Sequence, residues 1–152
     1  MRMLALALLL ATAPALADIA PPATERPTVV NDQDAAERLV GRHKLSLQWI
    51  SWDVFGVATI TKRDDRYYLK GEQKKGEDYL TIDGIITVID EKTFDFDGTV
   101  VTRVQINNQG QPCTRKGKLQ WKISGKRKYW RLVQMDNPCE GVTDYVDIYF
   151  KK

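Results

Sequence analysis

From residue 43 to residue 150 the chain repeats one pattern: apolar residues recur at alternate positions, a short turn follows, and the alternation resumes. A period of two belongs to strands lying between a core and solvent. Eight such runs are legible, at about 43–52, 56–62, 67–74, 79–90, 93–106, 114–124, 128–135 and 144–150. The turns between them are short and polar, as in Arg63-Asp64-Asp65-Arg66, Lys75-Gly76-Glu77-Asp78, Asp90-Glu91-Lys92 and Ser124-Gly125-Lys126-Arg127. Parallel neighbours need a crossover of roughly a dozen residues or more, so these links make consecutive strands antiparallel neighbours. An open sheet of this size would leave two bare edges and one uncovered apolar face, and closing it removes both problems. The expectation is an all-β fold: an eight-stranded antiparallel up-and-down barrel with a short N-terminal helix, with a β-sandwich as the alternative. Gly98, inside the fifth run after Asp97, predicts a bulge or sharp bend.

The N-terminal part reads differently. Arg2, the leucine-rich run from Leu4 to Leu10 and the small-x-small Ala15-Leu16-Ala17 read as a signal peptide over residues 1–17. Residues 18–30 carry Pro21, Pro22 and Pro27 and read as a flexible arm. Asn31 or Asp32 can cap a helix of about two turns that ends near Gly41, and Leu39 and Val40 can pin it to the body. Residues 31–152 are then a single barrel domain. The apolar run of the signal is too short to span a bilayer, and no later segment approaches the ~20 apolar residues that a spanning helix needs. A periplasmic or secreted protein that does not cross the membrane is expected. In an oxidising compartment Cys113 and Cys139 would pair as a structural disulfide.

At Gly41-Arg42-His43 and Thr143-Asp144-Tyr145 the chain resembles the lipocalin and calycin barrels. Those families often carry Gly-x-Trp where the helix meets the first strand, with His43 standing here in place of Trp, and Thr-Asp-Tyr in a late loop. The resemblance implies a short helix followed by eight antiparallel strands around a ligand cavity.

Charge excludes more than it suggests. The chain holds 23 Lys and Arg against 20 Asp and Glu. Loss of Arg2 with the signal leaves 22 − 20 = +2, so nucleic acid is not an expected partner. A single His and two Cys argue against most zinc sites, and no cofactor is expected. His43 has no nucleophile context near it, and Asp95 and Asp97 read as the outward side of a strand, so the reading leans away from an enzyme. The candidate ligand wall is Trp49, Trp121, Trp130 and Tyr67. Trp49 and Trp121 alternate in phase with Leu45/Leu47 and Leu119/Ile123 and so favour the lumen. Arg115, Lys116, Arg127, Lys128 and Arg131 form a candidate basic patch, with Arg131 placed to pair with Asp147 across strands. The first functional expectation is non-catalytic binding of a small apolar or lipid-like ligand in a barrel cavity. The alternative is a protein-interaction or inhibitor module of the cell envelope that acts through its outer face, marked by a contiguous apolar-aromatic patch there.

Overall fold

The computed structural model describes residues 21–152. The signal peptide expected over residues 1–17, and residues 18–20 of the arm, lie outside the described residues.

The fold is an eight-stranded antiparallel barrel with one short helix and one extra strand outside the ring. The extra strand is β1 (Val29–Val30), followed by α1 (Gln33–Leu39). The ring comprises β2 (Gly41–Leu47), β3 (Gly56–Arg63), β4 (Arg66–Lys75), β5 (Asp78–Ile89), β6 (Thr93–Arg103), β7 (Cys113–Lys122), β8 (Tyr129–Leu132) and β9 (Val146–Tyr149). Each strand pairs antiparallel with the next. β9 closes on β2 through Leu45↔Ile148 and Leu47↔Val146. Every strand of the ring has a paired neighbour on each side, the condition that the short links and the amphipathic runs required, although β7 meets β8 only at Trp121 and Lys122.

Alternation sends one set of side chains into the lumen. Leu45, Leu47, Ile60, Leu69, Ile82, Phe94, Phe96, Trp121, Trp130 and Ile148 are all buried there. Trp121 stacks on Phe94 at 5.4 Å and meets Phe96 edge-on at 5.3 Å, while Trp130 lies 4.5 Å from Phe150. A row of glycines, Gly84↔Gly98↔Gly117, crosses three strands in perfect register. The bulge expected at Gly98 is therefore not there; the register shift falls between Ile86 and Val88 of β5. The physical role of Gly98 is close approach. A Cβ on Gly98 would stand 2.5 Å from the Phe96 Cζ and 2.6 Å from the Gly84 Cα. The Phe96 ring lies over the bare backbone of both strands, covering positions that lack side chains of their own.

The lower end of the barrel, where β2 begins and β9 finishes, is covered by α1. Asp32 caps the helix by accepting from the Ala35 N–H at 2.7 Å, and Ala35, Ala36 and Leu39 turn into the core. A helix this short is not stable alone, so its burial carries it. His43 ties it down: its ring nitrogens lie 2.6 Å from the Leu39 carbonyl oxygen and 2.8 Å from that of Tyr149. The described part of the arm is also held, which differs from the loose segment that its prolines suggested. The Thr28 hydroxyl donates to the Ile86 carbonyl and accepts from the Tyr67 N–H, and β1 runs parallel to the last two residues of β5. The pairing of β4 with β5 stops at Tyr67↔Ile86, so the final residues of β5 have a free edge that β1 takes. The Cys113–Cys139 disulfide is present and anchors the β8–β9 loop to the start of β7.

Candidate binding surface

β8 and β9 alternate, and so face two ways. Trp130, Leu132, Val146 and Ile148 point inward, while Tyr129, Arg131, Asp147 and Tyr149 point outward. On the outside Arg131 and Asp147 are directly opposed in register and form a bidentate pair, both contacts at 2.7 Å. Asp147 is only 1% exposed, roofed by the guanidinium above it. The hydrogen bonds to Asp147 raise the Arg131 pKa above its ordinary value, against an opposing effect of burial.

Around this pair the aromatic rings and cations alternate. The Arg131 guanidinium lies 4.0 Å from the Tyr145 ring centre and 5.2 Å from that of Tyr129. Tyr129 meets Tyr149 at 5.4 Å, Tyr149 meets Phe55 edge-on at 5.6 Å, and the Lys44 ammonium sits 4.8 Å over Phe55. The result is one continuous ladder, Tyr145–Arg131–Tyr129–Tyr149–Phe55–Lys44, across the outer face of β8, β9 and β2. All four of its aromatic side chains are half-buried, so each keeps part of a ring available to a partner. The Tyr149 hydroxyl lies 3.1 Å from the Ser46 hydroxyl. Burial raises the Tyr149 pKa, and the bond to Ser46 opposes the shift.

Towards the lower end the ladder opens into a groove of about 860 Å3 beside Phe55 and Tyr149. Its charged side chains are Arg42, Lys44, Lys128, Lys151 and Lys152, with no carboxylate side chain among its lining residues. A second groove, of about 450 Å3, runs between the arm and the outer face of β5–β7 beside Asp95 and Asp97. Asp95 there accepts from the Gln120 side chain at 2.7 Å, and Asp97 is opposite Lys118.

The basic patch expected from sequence is divided. Arg115 is inside the barrel, 5% exposed, and its Nη2 lies 2.9 Å from Asp144 Oδ2. The same Nη2 donates to the Asp136 carbonyl at 3.0 Å, while Nη1 is buried with no hydrogen-bond partner. Arg131 is committed to Asp147. Lys116 is exposed on β7, and Arg127 and Lys128 occupy the β7–β8 turn at the lower end. Charge does gather at that end, but from separate parts of the chain: Arg42 and Lys44 on β2 join Lys128, Lys151 and Lys152. Runs of basic residues in sequence could not reveal this, because closure of β9 on β2 makes the neighbours. The phase of Arg115 with Leu119 and Trp121 was the available sign that it faces inward.

The ligand-wall candidates also separate. Trp121, Trp130 and Tyr67 face the lumen but are 0%, 2% and 3% exposed, packed on core neighbours. Trp49 is not in the lumen. β2 ends at Leu47, and Trp49 lies in the following turn, donating from Nε1 to Asp144 at 3.1 Å. Among the described residues no group of three or more His, Cys, Asp or Glu side chains is placed to hold a metal ion. No described helix is long and apolar enough to cross a membrane.

Comparison with known proteins points to one family. The profile of the PM1083 family matches residues 27–150, the whole ring and the α1 cap, and the chain belongs to that family. A relative from Pasteurella multocida (strain Pm70), described as "Uncharacterized protein PM1083", is 49% identical over 113 residues, 74% of each chain. No solved structure matches. The resemblance to lipocalins stands at the level of the small antiparallel barrel.

Proposed function

Taking membership of this family as the premise, we propose that the protein is an exported, non-catalytic binding module of the cell envelope that takes its partner on the outer face of β8, β9 and β2. The observation that carries this reading is the ladder of half-buried aromatic rings and cations from Tyr145 to Lys44. Tyr supplies much contact area with little conformational freedom to lose, and Tyr and Arg are both enriched at binding hot spots. The bidentate bond to Asp147 fixes Arg131 in place before any partner arrives. Export is supported by the signal-like residues 1–17 and by the Cys113–Cys139 disulfide.

A small ligand inside the ring has less support. Of the Trp121 and Trp130 rings that would line its site, the first is stacked on Phe94 and the second lies tilted against Phe150. The grooves of several hundred Å3 described above lie on the outside.

Co-sedimentation with envelopes isolated from the producing cells tests the outer-face reading. The Tyr129→Ala/Tyr145→Ala double variant is expected to bind at least roughly tenfold more weakly than the wild type, as for loss of two anchor rings. Equal binding by both proteins would rule the outer face out.

A further inference from the structure

The groove at the lower end of the ladder has a composition that selects its occupant. Resting on the outer-face reading, we infer that this groove binds a linear acidic polysaccharide, one whose sugar units carry carboxylates. Five cationic side chains line it, and none of them forms an ion pair with a described carboxylate. Lys44 rests over the Phe55 ring, and Lys151 donates to the Val40 carbonyl; both contacts leave the positive charge uncompensated. Four of the five are lysines, point charges on flexible stems that adapt to anions repeating along a chain rather than to one fixed fork. Between them the exposed parts of the half-buried Phe55 and Tyr149 rings add apolar surface for the C–H faces of sugar rings, with one face of Phe55 already under Lys44.

Two other polyanions fit less well. A lipid surface would be met by apolar side chains projecting beside the cations, as interfacial proteins do. None of the exposed apolar residues Val29, Val30, Trp52, Val54, Val57, Ile106 and Val133 lines this groove, although Val57 lies opposite Lys44 and Val54 precedes Phe55. A single-stranded nucleic acid also stacks on rings within a basic groove. The disulfide and the signal-like residues 1–17, however, fit a protein exported to an oxidising compartment, away from the cell's nucleic acid.

Fluorescence polarisation with a labelled oligogalacturonate tests the assignment. The controls are a neutral cello-oligosaccharide, a single-stranded DNA and vesicles containing phosphatidylglycerol. The wild type is expected to bind the oligogalacturonate, with affinity falling as salt is raised, and to leave the neutral glycan unbound. Lys128→Glu/Lys151→Glu, at two exposed positions, is expected to weaken binding by roughly tenfold or more. Phe55→Ala is expected to weaken it several-fold without changing the salt dependence. Absent binding, binding indifferent to the charge reversal, or tighter binding of DNA or vesicles would each overturn the inference. If the oligogalacturonate fails while envelope binding still depends on Tyr129 and Tyr145, the ligand class is wrong and the outer-face reading stands. If envelope binding is also indifferent to those rings, both fall.

Discussion

The inner and outer faces of β8 and β9 are built from alternate residues of the same two short strands, yet they use aromatic and charged groups in opposite ways. Inward, Trp130 lies against Phe150 and Phe94, and neighbouring Trp121 stacks on Phe94, so ring surface is buried against ring surface. Outward, Tyr129, Tyr145 and Tyr149 are interleaved with Arg131 and remain half-buried. The ion pairs divide likewise. Arg115–Asp144 is sealed inside the barrel, whereas Arg131 covers Asp147 from the solvent side. Inside, such groups hold the fold together. Outside, the same types of group hold one another in fixed positions while leaving surface for a partner.

Substitution should separate these roles. The largest losses are expected inside. Arg115→Ala leaves the Asp144 carboxylate buried opposite no cation, and a loss of about 3–5 kcal/mol in urea unfolding is expected. Trp121→Ala removes the ring between Phe94 and Phe96, again costing about 3–5 kcal/mol. Next comes Cys113→Ser/Cys139→Ser. Opening a loop of 26 residues should cost about 3.5 kcal/mol on the chain-entropy account, with envelope binding unchanged. Arg131→Ala should cost less, about 1–3 kcal/mol, because water can reach Asp147 once the guanidinium is gone. Equal losses for Arg115→Ala and Arg131→Ala would break the division between inner and outer pairs. The smallest effect concerns Tyr149. Its phenol is raised above the ordinary 10.0, so the folded protein keeps a proton that the unfolded chain releases first. The stability this lends is complete below pH 10 and is lost as the pH climbs through the folded value. Tyr149→Phe should flatten that alkaline slope in pH-dependent unfolding.

The ring was legible because the evidence for it is local. Alternation and short turns fix strand order, and burial of one face forces closure, so the runs from 43 to 150 match β2–β9 in number and order. Alternation also gave the Arg131–Asp147 pairing. Other features depended on contacts that a linear reading does not contain. Gly98 read as a bulge, but its missing side chain makes room for the Phe96 ring, a matter of packing between strands. The arm read as loose because its prolines disfavour regular structure, yet the free end of β5 and the Thr28 hydroxyl gave it partners. Arg115 was grouped with its basic neighbours although its phase matched Leu119 and Trp121. The groove joins Arg42 and Lys44 to Lys128 and Lys151, which become neighbours only after the last strand meets the first.

The central claim, that a partner is received on the outer face of β8, β9 and β2, is most directly tested by hydroxyl-radical footprinting of the protein free and bound to envelopes. Tyr129, Tyr145 and Tyr149 should be oxidised several-fold more slowly in the bound state, while Tyr68 and Tyr79 on β4 and β5, at the far side of the ring, should react as before. Protection confined to Tyr68 and Tyr79, or unchanged oxidation of all five, would contradict it.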